Sequence, residues 1–150
     1  MSDLRPLLER VPIFVGLREE VLDDIASHGE RMEVGPGQCV VAEGEPGNAM
    51  FLILEGRVIV EKLGPNSEME RLVVLERGDF FGEMSIIECM PRSASVRAEA
   101  PAVVFRLKTS ELLRIFQLWP DQNAILLLNI ARDLCRRLRK MDQGFAARAH

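Results

Sequence analysis

Cysteine and histidine are scarce: the 150 residues hold three cysteines and two histidines. Cys39, Cys89 and Cys135 lie far apart with no Cys-x-x-Cys, and their odd number argues against a disulfide framework, so reduced thiols are expected. His28 falls near an expected helix end and His150 at the last position, neither at metal-ligand spacing from a cysteine, which speaks against a metal site and against a histidine-based catalytic triad. No apolar run approaches the roughly 18 residues that a membrane helix needs. Met1-Ser2-Asp3 opens without the basic-then-apolar order of a secretory signal. Positive net charge is missing too: a formal charge of -4 gives no sequence-independent attraction to nucleic-acid phosphates, so a nucleic-acid role would need a local basic patch. These absences predict a cytoplasmic protein with no membrane partner, no cofactor and no enzyme activity.

What the chain does contain is the composition of an ordinary globule, 47% hydrophobic and 28% charged, at a length that suits one domain over residues 1–150. Over about 2–29, Leu7, Leu8, Val11 and Phe14, then Leu17, Val21, Leu22 and Ile25, recur at helical spacing and stop at Gly29, which predicts two short helices. From about 31 to 108 the pattern becomes short apolar runs, at 39–42, 49–54, 58–63, 71–75 and 102–107. Gly35-Pro36-Gly37, Gly64-Pro65-Asn66, Arg77-Gly78-Asp79 and the Gly/Pro-rich stretch 43–47 punctuate them. Such spacing predicts an antiparallel sandwich or barrel, and the unbroken apolar run at 50–54 predicts a central strand buried on both faces. After Thr109 the pattern is helical again to about 141, with Pro120 at a helix start and the last helix running to about Lys140. On that helix Leu127, Ala131, Leu134, Leu138 and Met141 form one apolar stripe, expected to pack either on the barrel or on a second copy of the chain.

The chemistry concentrates between 81 and 96. Gly82 lets backbone approach a ligand closely, and Met84, Ile86 and Ile87 fit a single helical turn whose first N–H groups are unpaired and suit an anion. Arg92, set by Pro91 and followed by the small Ser93, Ala94 and Ser95, can grip a phosphate through two parallel bonds. Glu83 would repel that phosphate and is better placed to accept bonds from sugar hydroxyls. A ribose phosphate satisfies both.

Phe81-Gly82-Glu83 followed by Pro91-Arg92-Ser93-Ala94-Ser95-Val96 resembles the phosphate-binding cassette of the cyclic-nucleotide-binding domain family, which includes bacterial catabolite activators, regulatory subunits of cAMP-dependent kinase and nucleotide-gated channels. Gly47 to Gly56 and Gly78-Asp79 agree with the same pattern, and the resemblance runs from about Leu7 to Asp142. It implies a mainly β fold, an antiparallel jelly-roll barrel (double-stranded β-helix) with flanking helices, the last of them a lid. It implies that Glu83 binds the ribose 2′-hydroxyl and Arg92 the cyclic phosphate, with amides at Ser85 and Ser93 as further donors. Val60, Leu72 and Met84 would line the apolar side, beside Gly82 and Ala94, and Arg137 would pair with Glu83. Ser93 stands where bacterial cAMP receptors use serine, so the implied ligand is cAMP, with cGMP as the alternative.

The chain also departs from the family. Cys89 replaces a common cassette glycine, Met141 and Asp142 stand where catabolite activators have hydroxyl residues for adenine, and the sequence ends at His150 without a helix-turn-helix, so direct DNA binding is not expected. The implied output is a surface read by an effector protein or by a homodimer partner through the C-terminal helix. Three blander readings stand beside this one. The fold could persist as a ligand-free interaction module, the cluster Arg132, Arg136, Arg137, Arg139 and Lys140 could be a solvated face offsetting the helix dipole, and Cys89 could be simple filler.

Overall fold

The computed structural model describes residues 4–83 and 91–149, with side chains to residue 143. Helix α1 (Leu4–Glu9), a 3-10 turn (Pro12–Phe14) and α2 (Glu19–His28) precede eight strands: β1 (Glu30–Val34), β2 (Cys39–Val41), β3 (Ala49–Glu55), β4 (Arg57–Leu63), β5 (Met69–Glu76), β6 (Phe80–Phe81), β7 (Ser95–Ala98) and β8 (Ala102–Lys108). Helices α3 (Thr109–Leu118) and α4 (Pro120–Ala149) follow. The last helix thus extends beyond the predicted end near Lys140, because no proline or stop signal interrupts 141–149 apart from Gly144. Among the described residues, no helix is long and apolar enough to cross a membrane.

The strands form two antiparallel four-stranded sheets, ordered β1-β8-β3-β6 and β2-β7-β4-β5, with helices on one side, the jelly-roll arrangement expected from the sequence. Alternate side chains of β3 explain its unbroken apolar run. Ala49, Phe51 and Ile53 join Val58, Leu75, Val96 and Val104 in the core between the sheets. Met50, Leu52 and Leu54 face the other way, into a second core with Phe80, Phe105 and Leu107 and with Val21, Leu22 and Ile25 of α2. A strand that is buried on both faces has no polar positions to alternate. Burying each of Phe80 and Phe105 contributes roughly 1.5–3 kcal/mol, and both rings are wholly buried.

Gly29 closes α2, its N–H bonded to the Ile25 carbonyl at 2.9 Å. A Cβ at that position would lie 1.9 Å from Phe105 Cζ, so the glycine is there for space, its φ of -74° being ordinary. Glu111 accepts the Lys108 backbone N–H at 3.1 Å and so begins α3. Two polar side chains of α4 hold the N-terminal segment. Gln122, buried, accepts the Arg18 N–H at 2.7 Å, and Asn129 Nδ2 donates to the carbonyls of Ile13 and Val15 at 2.9 and 2.8 Å.

The apolar stripe of α4 packs on the body of the protein only in part, through Leu134. Leu126 and Ile130 make that contact with partly buried Leu134, while Leu127, Leu138 and Met141 are 50%, 59% and 69% exposed. Leu126, Leu127 and Leu128 are consecutive, so helical periodicity alone fits more than one face, and packing selects the one carrying 126 and 130.

Candidate functional site

Strand β6 is two residues long and pairs with β3 so that Phe81 lies opposite Phe51, their rings stacked with centroids 5.0 Å apart. Immediately after it, Gly82 turns the chain at φ +87°. Glycine is required here twice over. L side chains rarely adopt that φ, and a Cβ would sit 2.6 Å from Arg92 Nη1 and 3.0 Å from the Ala49 carbonyl oxygen. The tight turn brings Glu83 and Arg92 to one place.

Arg92 is fixed through its backbone and its side chain alike. Its N–H donates to the Glu45 carbonyl and its own carbonyl accepts from Gly44 N–H, both at 2.8 Å, which ties it to the turn between β2 and β3. Nη2 donates to the Ala49 carbonyl at 2.9 Å and Nη1 to the Gly82 carbonyl at 3.3 Å, with the guanidinium 5.7 Å from the Phe51 ring centroid. Only 8% of Arg92 is exposed. Burial pulls its pKa below the usual arginine value, against the opposing pull of Glu45 and Glu83. Its close partners are neutral carbonyls, and no carboxylate lies within ion-pair distance among the described residues. The cation is desolvated in advance, and among the described residues Glu45 and Glu83 act on it only from beyond ion-pair distance.

Glu83 is equally withdrawn, at 9% exposure. Burial raises its pKa, while its own backbone amide, Arg137 and Arg92 act in the opposite sense. Its nearest cation is Arg137, Nη1 to Oε1 at 3.9 Å. That contact is looser than the other bonds Arg137 makes: Nη2 donates to the Phe80 carbonyl at 2.6 Å, Nε lies 3.1 Å from Asp133, and the guanidinium stacks 4.3 Å from the Phe80 ring centroid. The expected Arg137–Glu83 pair is present, but Phe80 and Asp133 do most of the anchoring.

A cavity of about 590 Å³ opens at this point, and Gly82, Glu83, Arg92, Ser93 and Ala94 stand along it with Arg137. Val60 and Leu72, both expected from the sequence, line its apolar side. Met84 and Ser85 lie outside the described residues, as do Ile86, Ile87 and Cys89. Met141 borders the cavity, whereas Asp142 is not among its described lining residues. Sequence reading missed Val41, Val73, Phe81 and Lys140 as lining residues. Lys140 could have been found, since it stands three residues after Arg137 and so on nearly the same side of the helix.

The arrangement offers a buried cation, a buried carboxylate and an apolar wall around one space, which suits a ligand with an anionic group, hydroxyls and an apolar ring. The comparisons agree. The family model described as cyclic nucleotide-binding domain matches residues 31–118. A potassium channel of Arabidopsis thaliana, AKT2/3, is 30% identical over 93% of this chain and 17% of its own length. A CRP-like cAMP-activated global transcriptional regulator of Mycobacterium tuberculosis is 26% identical over 93% of the chain and 61% of its own length. This chain thus spans less than two thirds of either relative. A crystal structure of a cyclic nucleotide-binding domain from Methylobacillus flagellatus superposes with a TM-score of 0.81 at 27% identity, covering 93% of this chain and 78% of that one. With its cassette residues gathered along one cavity and more than half its length matched, the chain belongs to the cyclic-nucleotide-binding domain family.

Proposed function

We propose that this chain is a non-enzymatic cyclic-nucleotide receptor working in the cytoplasm as a single domain over 1–150. The observation that carries the reading is the pair Glu83 and Arg92, each more than nine-tenths buried on the wall of one cavity. Burying a charge without an opposite charge to balance it is costly. A cyclic phosphate on Arg92 supplies an anion at contact distance, and the ribose 2′-hydroxyl donates to the Glu83 carboxylate. As the resemblance implies, the amides of Ser85 and Ser93 add donors to the phosphate, and Met84 belongs to the apolar side. The base then lies against Val60 and Leu72. Serine at 93 favours cAMP, as the resemblance implies, with cGMP as the rival ligand.

Output runs through α4, which acts as a lid. Arg137 touches both the rim of β6 and Glu83, so ligand on Glu83 alters the contacts that hold the helix. Binding shifts an existing equilibrium of helix positions rather than creating a new one. The exposed Leu127, Leu138 and Met141 supply the surface for an effector protein or for a homodimer partner. That same exposed stripe favours a second reading, an interaction module that has kept the fold without a ligand.

Thermal unfolding with cAMP, cGMP and linear AMP separates the two. A ligand that binds only the native state raises its melting temperature. A rise with a cyclic nucleotide and none with AMP is the expected result. No rise with either cyclic nucleotide, on protein freed of bound nucleotide, would leave the interaction module as the function.

A further inference from the structure

The end of the cassette leaves its sheet to reach the cavity. Strand β7 pairs with β4 from Val58 opposite Ala98 to Glu61 opposite Ser95, and there the ladder ends. Ser93 and Ala94, the residues just before it, border the cavity with Arg92. Strand β4 runs on to Leu63, which still pairs with Met69 of β5. Beyond the end of β7, the Leu63 N–H donates to the Glu43 carboxylate at 3.0 Å. A side chain takes the place that a neighbouring strand would fill, since a backbone donor needs a partner wherever the ladder stops.

Glu43 also belongs to the turn that fixes Arg92. Its own N–H donates to Ser95 Oγ at 2.9 Å. The next two residues, Gly44 and Glu45, hold the carbonyl and the N–H of Arg92, each at 2.8 Å. Three consecutive residues thus reach the end of β4, the start of β7 and Arg92 itself. Strands β4 and β5 carry the apolar wall of the cavity, with Val60, Leu72 and Val73. Glu43 is not among the described lining residues, yet it ties that wall to the segment holding the arginine.

We infer that Glu43 is a positioning residue of the nucleotide site, setting where Arg92 stands relative to the β4–β5 wall without touching the ligand. This deepens the receptor reading and rests on it. A two-bond grip on phosphate is directional, and a site keeps its geometry only as far as the groups behind it are fixed. The sign of the effect separates this role from a plain electrostatic one. A carboxylate acting on the ligand through its charge alone repels the phosphate, so removing it would tighten binding. A carboxylate acting through position does the opposite, and its removal weakens binding.

The test is titration calorimetry with cAMP and cGMP on wild type, Glu43→Ala, Glu43→Gln, Arg92→Lys and the double variant Glu43→Ala/Arg92→Lys. Loss of the one bond in Glu43→Ala should weaken the better-bound nucleotide roughly three- to tenfold. Glu43→Gln keeps an acceptor and loses the charge, and should recover most of that affinity. Arg92→Lys keeps the cation and gives up the two-bond fork. With the fork gone its aim no longer matters, so Glu43→Ala should cost less than about twofold in that background. Unchanged or tighter binding by Glu43→Ala, a glutamine variant as weak as the alanine one, or losses that simply multiply in the double variant would each overturn the assignment while leaving the receptor intact. A wild type that binds neither nucleotide would remove the receptor reading, and this inference with it.

Discussion

Replacing Arg92 by alanine removes the buried cation of the cavity, and the size of the effect can be worked from its surroundings. The guanidinium is 8% exposed and bound to the carbonyls of Ala49 and Gly82, so its desolvation has been met during folding. A phosphate reaching it gains a charge-assisted, two-bond contact without stripping further water from the arginine. Truncating such a buried partner costs about 2 to 5 kcal/mol, roughly thirtyfold to several thousandfold in affinity. In an unfolding experiment with ligand at a thousand times its wild-type Kd, binding adds about 4.1 kcal/mol to stability. For a domain of this size that raises Tm by roughly 8 to 16 °C. A thousandfold loss brings the ligand down to its Kd, leaving about 0.4 kcal/mol and a shift of roughly 1 to 2 °C. The unliganded variant should melt within a few degrees of wild type, because the orphaned carbonyls are offset by relief of an unbalanced buried charge. Arg137→Ala, at a side chain 28% exposed and anchored mainly by Phe80 and Asp133, should lose far less affinity. An Arg92→Ala protein whose Kd stays within about twofold of wild type would refute the proposed phosphate contact. Equal losses for the two variants would refute the ranking.

Two further substitutions probe the same turn. Gly82→Ala places a Cβ 2.6 Å from Arg92 Nη1 at a φ of +87°. It should destabilise the empty protein by about 1 to 3 kcal/mol and weaken nucleotide binding as well, read from denaturant unfolding and titration calorimetry. A binding loss with no stability loss would contradict the steric argument. Glu83→Gln should do the opposite to the empty protein. Because burial raises the Glu83 pKa in the folded state, its stabilising contribution is complete below the ordinary glutamate range and is lost as pH rises through the raised value. The glutamine variant should therefore be the more stable at neutral pH and lose that advantage in acid, while binding cyclic nucleotide more weakly. Parallel pH–stability curves for the two proteins would show that Glu83 does not carry this cost.

The cassette was legible in the sequence because its chemistry is local: Gly82 and Glu83 are adjacent, and Arg92 follows Pro91. Three strands were not. In β1, Glu-Arg-Met-Glu-Val, only Val34 is buried, since the strand lies at a sheet edge and pairs with β8 alone. Strand β6 has two residues, too few for any period, and β7 hides within the end of the cassette, where Val96 and Ala98 point inward between Ser95 and Arg97. Nor could the sequence disclose that Arg92 is held by the Ala49 carbonyl 43 residues away, because a backbone acceptor carries no residue-type signal. The apolar face of α4 is legible only in part, Leu134 but not Leu126 or Ile130, for a related reason: three consecutive leucines satisfy helical spacing in several ways, and only the neighbours decide.

The bonds from Gln122 and Asn129 to the N-terminal segment give α4 the mechanics of a lever with its fulcrum near one end. The twenty-one residues from Asn129 to Ala149 make an arm of about 30 Å, at about 1.5 Å per residue. A tilt of about 10° at the pinned end would carry the far tip about 5 Å, close to one helical pitch. A sub-ångström change where Arg137 meets Glu83, partway along that arm, would thus arrive at the tip enlarged, so an instrument placed there would see nucleotide occupancy more readily than one placed at the cavity itself.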